Sequence, residues 1–176
     1  MQLKTDYKIF SILLCFFSFF SFFLGFFFNK YSAGAGGYNG DFLLIWKNLQ
    51  IFINNDFFSA LNHSEYYDSR APTSYIFHKF LNPWLDTKIS FRASVFIISL
   101  LLPFLFYFCL KQKFKEKNNL LLLLLSSVIF LSPYFRTTAY WGLQENYSLI
   151  FLLLSFLSLN IFLNNEKINM YKKYFY

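Results

Sequence analysis

Residues Ile9–Phe28 read IFSILLCFFSFFSFFLGFFF, twenty residues without a charged side chain. As a helix rising 1.5 Å per residue, the run is about 30 Å long, the thickness of a bilayer's hydrocarbon core. A helix that is apolar all round has no face to offer water, so this run reads as a membrane span. Ala33-Gly34-Ala35 has the A-x-A form of a signal-peptidase site. Secretory h-regions, however, are about 7–15 residues long, and this block is longer and packed with Phe. A retained anchor is the expectation.

Three further apolar blocks follow: Ala93–Leu110, Leu120–Leu131 and Tyr147–Leu163. The third block of the four is short. It reaches spanning length only if Pro133-Tyr134-Phe135 lie at the interface, where Tyr is favoured. The expected crossings are therefore 9–28, 93–110, 118–135 and 147–163, a membrane domain over 1–164 followed by a cytoplasmic tail over 165–176. The whole chain of 176 residues is 56% hydrophobic and 14% charged, with a mean hydropathy of +0.39. A soluble domain carries roughly 25% charged residues. The fold class expected is an all-α integral membrane protein of about four transmembrane helices with a large extracytoplasmic loop containing interfacial helices.

The net charge of +7 does not indicate nucleic acid. The lysines gather at Lys4 and Lys8, at Lys111, Lys113, Lys115 and Lys117, and at Lys167, Lys172 and Lys173, each cluster flanking an apolar block. That is the distribution of positive-inside anchors, which puts both termini and the 111–119 link in the cytoplasm of an inner (plasma) membrane protein. The loop 29–88 balances five basic residues with five acids, and 132–146 holds one of each, Arg136 and Glu145. Both loops then face outward, on the same side. Cys15 and Cys109 lie inside apolar blocks and suit small lipid- or core-facing roles rather than a disulfide. His63 and His78 have no ligand-like spacing to other donors, so no metal site is read, and both are expected to be solvated or interfacial.

Within the long loop, apolar residues at 42, 45, 46, 49, 52 and 53 follow the i, i+3, i+4, i+7 template. They predict an interfacial helix with Trp46 as anchor. A second helix is predicted from about Pro72 to before Pro83, with Tyr75, Ile76, Phe80 and Leu81 on its buried side.

Four residues stand out for chemistry. Asp41 follows Gly36-Gly37-Tyr38-Asn39-Gly40 and opens the first loop helix. It reads either as an N-terminal cap or as a carboxylate able to act as a general base. Arg70 precedes a helix N-terminus, where a guanidinium and free backbone N–H groups suit an anion. Equally, Arg70 suits a surface pair with Asp68 or Glu65. Arg136 and Glu145, between two crossings, either bridge to each other or face water, a partner or a substrate, because ionisable groups there are otherwise costly.

Taken together, the order of these features resembles the N-terminal part of membrane-embedded glycosyltransferases of the GT-C type, which use lipid-phosphate sugars. Protein mannosyltransferases and the aminoarabinose transferase acting on lipid A belong to that group. Asp41 matches the acid after the first crossing, and Arg70-Ala71-Pro72-Thr73-Ser74-Tyr75 loosely matches a basic-Pro stretch. Ser132-Pro133 through Glu145 matches a Ser-Pro segment ending in an acid before the fourth crossing. Here the first acid is followed by Phe42 rather than by another acid, and Arg70 stands where Lys is commoner. The resemblance covers roughly residues 8–164. It implies an inverting transfer from a polyprenyl-phosphate-linked sugar to an extracytoplasmic hydroxyl. Asp41 would be the base, Arg70 and Arg136 would bind phosphate, and Glu145 would orient the acceptor or a divalent cation. Membrane lipid and the lipid-linked donor are the implied partners. The family has many more crossings, so the chain is expected to be the front of a larger transferase, with the missing remainder as a further partner. The competing class is a non-catalytic four-helix accessory or assembly protein. A transporter fits less well, because no central apolar block carries an ionisable residue.

Overall fold

The computed structural model describes residues 2–28, 35–68, 72–115 and 117–174. All regular structure among them is helical. Helix α1 (Gln2–Phe27) carries the first apolar block. Three helices, α2 (Ala35–Asn54), α3 (Phe57–Leu61) and α4 (Thr73–Leu81), occupy most of what the sequence suggests is a loop. Then come α5 (Lys88–Ser99), α6 (Leu101–Lys113), α7 (Asn119–Ser127) with a 3-10 turn over Val128–Leu131, α8 (Pro133–Trp141) and α9 (Glu145–Tyr174). Three stretches are long and apolar enough to cross a membrane: Tyr7–Phe27, Lys88–Lys113 and Glu145–Leu163. A fourth arises if Asn119–Leu131 and Pro133–Trp141, bent by 61°, count as one broken span.

Boundaries follow local chemistry. The second span begins at Lys88, earlier than the apolar block suggests, because Thr87 and Ser90 form a capping box there. Ser90 N–H donates to Thr87 Oγ1 at 3.1 Å and Thr87 N–H to Ser90 Oγ at 3.0 Å. It breaks once, between α5 and α6, where Pro103 has no N–H to give the Ser99 carbonyl and its ring crowds that oxygen. Asn118 caps α7 through a 2.9 Å bond from Leu120 N–H. The third crossing departs from expectation. At 13 residues, Asn119–Leu131 is only about 20 Å long. The chain bends at Ser132 instead of continuing through Phe135.

The segment 132–146 is consequently not an open loop. Ser132 caps α8, Pro133 occupies the first turn, and Gly142 ends the helix at φ 72°, a left-handed position that suits glycine. Phe135, Thr138, Ala139, Tyr140 and Trp141 are all buried. Helix α9 also runs past Asn164, through the predicted tail, to Tyr174.

Two cores result. One gathers Phe42, Ile45, Leu49 and Phe52 of α2 with Tyr75, Phe91, Trp141, Leu143 and Tyr147. The apolar stripe predicted for this helix is thus largely buried against the protein. The other centres on Phe22, fully buried and stacked on Phe96 (4.9 Å between centroids) and Phe135 (5.0 Å), with Phe130 and Tyr140 beside it. Much of α1 and of α9 up to Leu163 remains exposed, and only 17% of the most apolar window of either helix is buried.

Candidate functional site

The first turns of α4 and α9 face each other across a cleft of about 260 Å³. Thr73, Ser74 and Phe77 form one wall; Gln144, Glu145, Tyr147, Ser148 and Phe151 form the other. The left-handed turn at Gly142 makes this possible by folding the chain back from α8, so that Leu143 N–H reaches the Thr138 carbonyl at 2.9 Å and α9 starts against α4. Gln144 and Tyr147 are 8% and 6% exposed. Among the described residues, the buried Tyr147 and Ser74 hydroxyls have no hydrogen-bond partner. A buried polar atom without a partner costs about 1–3 kcal/mol, so two on residues of one cleft stand out.

Behind the cleft lies a second polar layer. The buried Tyr75 hydroxyl donates to the Asp68 carboxylate. Asn48 Nδ2 approaches the same hydroxyl at 3.4 Å and donates to the Tyr67 carbonyl at 2.9 Å. The Gln144 amide interacts with the same Tyr75 hydroxyl. Burial and the Asp68 carboxylate push the Tyr75 phenol well above its ordinary range, which keeps it a neutral donor.

His78, one turn after Ser74, is 2% exposed, not solvated as its sequence suggests. Asn82 Nδ2 donates to His78 Nδ1 at 2.9 Å and to Ser94 Oγ at 2.7 Å, and the ring packs edge-on against Phe91 and Tyr147. Burial lowers its pKa to about 4. The buried face of α4 is thus Tyr75–His78, with Asn82 just beyond, while Phe80 and Leu81, predicted inside, are 75% and 68% exposed. His63 sits in a surface turn and accepts a bond from Glu65 N–H at 3.2 Å.

Of the four site residues suggested by the sequence, Glu145 lines the cleft. Arg136 lies elsewhere, in a larger groove of about 580 Å³ between α1 and α8. Its guanidinium donates to the Ser21 carbonyl (2.9 Å), to Ser21 Oγ (3.3 Å) and to the Tyr140 hydroxyl (3.1 Å). Arg136 and Glu145 form no ion pair with each other; the ion pair between described residues at the surface is Lys47–Glu65, at 3.1 Å. Asp41 is half-buried on α2, and the helix starts at Ala35, so Asp41 is not its cap. It lines neither the cleft nor the groove. Arg70, and with it a pairing to Asp68, lies outside the described residues. Among the described residues, no cluster of three or more His, Cys, Asp or Glu could hold a metal ion.

Sequence reasoning passed over Arg92. Its guanidinium lies 5.6 Å from the Phe42 ring centroid and 5.1 Å from that of Trp141, and Nε donates to the Tyr140 carbonyl at 2.9 Å. It also missed Asn146, which donates to Ser99 Oγ (3.0 Å) and accepts from Thr138 Oγ1 (2.7 Å), locking α9 to α5 and α8. The polar run Gln144-Glu145-Asn146, set directly against an apolar block, was the available signal.

No family model, no curated protein and no solved structure matches the chain.

Proposed function

We propose that this protein is the membrane-embedded part of a transferase that moves a sugar from a polyprenyl-phosphate donor to a hydroxyl on the outer side of the membrane. The observation that carries this reading is the cleft: an acid, Glu145, at the head of a membrane-spanning helix, walled by hydroxyl and amide groups and backed by the Asp68–Tyr75 pair. An acid in the first turn of a helix is favoured by the helix dipole, so the cleft holds its negative charge at little cost. The order of elements adds weight: one span, a layer of shorter helices carrying an acid, a second span, and a broken element leading to a second acid.

In this reading α2 to α4 lie on the outer face of the inner membrane, and both termini are cytoplasmic. Asp41, the base that the resemblance implies, lines neither the cleft nor the groove, so Glu145 is assigned as the base that takes the proton from the acceptor hydroxyl. The hydroxyl oxygen bonds to the anomeric carbon, the bond from that carbon to the phosphate oxygen breaks, and polyprenyl phosphate leaves with the electron pair. Arg70, three residues before the Thr73 of the cleft wall, is the candidate for phosphate. Arg136 is occupied with Ser21 and Tyr140 in the other groove, and we assign it to holding α8 on α1.

A second reading, an accessory subunit, is favoured by the apolar exposed faces of α1 and α9, which neighbouring helices could cover. The two separate in one assay. The protein in its own membranes is supplied with radiolabelled polyprenyl-phosphate sugars, and product is counted for wild type, Asp41→Asn and Glu145→Gln. A lost general base costs about 10²–10⁴-fold in rate. Near-normal transfer by Glu145→Gln removes the base assignment, and no transfer from any donor by the wild type favours the accessory role.

A further inference from the structure

We infer that the end of α4 and the turn after it, Phe80 to Trp84, are immersed in the bilayer, and that phospholipid acyl chains fill the crevice between this turn and α5. Thr73 and Ser74 of the cleft stand at the other end of α4, so this immersion is independent of sugar transfer.

Depth follows from one hydrogen bond. Asn82, the residue after α4, donates from Nδ2 to Ser94 Oγ at 2.7 Å. Ser94 lies inside the second span, Lys88–Lys113, about 9 Å along from its start. Two residues further on, Phe96 stacks on Phe22 at 4.9 Å between centroids. Phe22 in turn lies about 8 Å short of the end of the first span at Phe27. The turn after α4 is therefore level with residues inside both spans.

At that level the turn presents apolar surface. Leu81, Pro83 and Trp84 face Ile97 and Ile98 across a crevice of about 200 Å³. Phe80, Leu81 and Trp84 are all exposed. Ile97 begins an exposed stripe that continues along the span through Leu101, Phe104 and Phe108, at the i, i+4, i+7, i+11 spacing of one helix face. An apolar stripe on a spanning helix meets acyl chains. Leu81 and Trp84 stand at the head of this one, so the lipid that coats the span coats them too.

Backbone polar groups decide whether such a turn can leave water, because in hydrocarbon each N–H needs a partner in the protein. Asn82 N–H donates to the His78 carbonyl at 3.1 Å, and Pro83 has no N–H. Trp84 N–H donates to Asn82 Oδ1 at 2.9 Å. The Asn82 amide directs its own donors to His78 Nδ1 and Ser94 Oγ. A turn facing water needs no such closure. The amine of Lys79, beside Phe80, is held on the Asn55 carbonyl at 2.7 Å, which keeps its charge out of the crevice.

The test uses the full chain in nanodiscs of phosphatidylethanolamine and phosphatidylglycerol, with tryptophan quenching as the readout. One preparation carries phospholipid brominated in the acyl chain, and another is plain lipid with iodide in the water. Trp46 and Trp141 pack in the protein core and give a constant background. Bromine quenching should fall in Trp84→Phe and return when Leu81→Trp is added. Tyr67→Trp in the same Trp84→Phe background puts the probe on an exposed residue before α4, and iodide should quench it instead. Bromine quenching that Trp84→Phe leaves unchanged overturns the inference. So does iodide quenching at Leu81→Trp, which puts the turn in water. A Leu81→Trp probe that answers to neither quencher means that a second copy or another protein covers this face, and overturns it equally.

Discussion

The Tyr140 hydroxyl donates to the Phe22 carbonyl oxygen at 2.6 Å, tying the short α8 to the backbone of the first span. The approach is close because residue 25, one turn along α1, is glycine. A Cβ there would land on the Tyr140 hydroxyl and 2.7 Å from Arg136 Nη2. Gly25→Ala should therefore push α8 off α1 and cost about 1–3 kcal/mol, the usual penalty of overpacking. Tyr140→Phe alone should cost about 1 kcal/mol for the lost hydrogen bond. Because Tyr140→Phe also removes the atom in the way, the double variant should be more stable than the sum of the two losses predicts. Thermal midpoints of the four proteins in one detergent give the coupling.

His78 makes stability acid-sensitive. Its pKa falls from the ordinary 6.5 to about 4 because burial disfavours the charged ring. Between those values the unfolded chain binds a proton that the native state does not, so stability falls as pH drops through 6.5 and continues to fall until about pH 4. The loss is about 3 kcal/mol over that window. Unfolding measured from pH 7.5 to 4 should show this slope in wild type and a shallower one in His78→Gln. Parallel slopes would mean that other groups set the acid limit.

Apolar run length was enough to locate the three helices long and apolar enough to cross a membrane, but not the bend at Ser132 that interrupts the third block. Pro72 and Pro83 bracketed α4, and the stripe from Phe42 to Ile53 gave the inward face of α2. Three things were hidden. The buried face of α4 is Tyr75–His78, with Ile76 packed partly against the core; an apolar template finds Tyr75 and Ile76 but adds the exposed Phe80 and Leu81 and passes over His78. Its third partner, Asn82, lies one residue past the helix and depends on Ser94 of α5, a contact no local pattern contains. The segment 132–146 reads as polar, yet its ends carry helix punctuation, Ser132-Pro133 at the start and Gly142 at the stop. What the sequence withheld was that Phe22 and Asn146 supply the burial and hydrogen bonds that make a nine-residue helix worth forming. The candidate site was half legible. Glu145 stood out as a lone acid, whereas Gln144 and Tyr147 matter only because the turn at Gly142 aims them at α4.

The separation of Arg136 from Glu145 predicts opposite phenotypes. Arg136 holds three contacts to α1 and Tyr140, so Arg136→Gln should destabilise by about 1–3 kcal/mol, as expected for hydrogen bonds to a charged group. Whatever folds should keep its ligand affinity. Glu145→Gln keeps the shape of the cleft wall and should lower ligand affinity or turnover by a larger factor than Arg136→Gln does. Measuring both quantities on both variants is decisive. If Arg136→Gln loses binding at an unchanged midpoint, its groove is part of the site.

Arg92 carries the last prediction. Its guanidinium contacts the Phe42 and Trp141 rings and meets the C-terminal end of α8 through the Tyr140 carbonyl. Three effects act at once there: a cation against two aromatic faces, a charge-assisted hydrogen bond, and a positive charge at the negative end of a helix dipole. Gly142 helps to keep the site open, since a Cβ there would come within 3.2 Å of Arg92 Cγ. Lysine retains the charge but not the planar fork that stacks and donates together. Arg92→Lys should therefore cost about 1–2 kcal/mol, and Arg92→Leu more, because the α8 terminus then loses both its donor and its counter-charge. If Arg92→Lys matches wild type in thermal unfolding, charge alone fastens α8 to α5, and the stacking on Phe42 and Trp141 contributes nothing measurable.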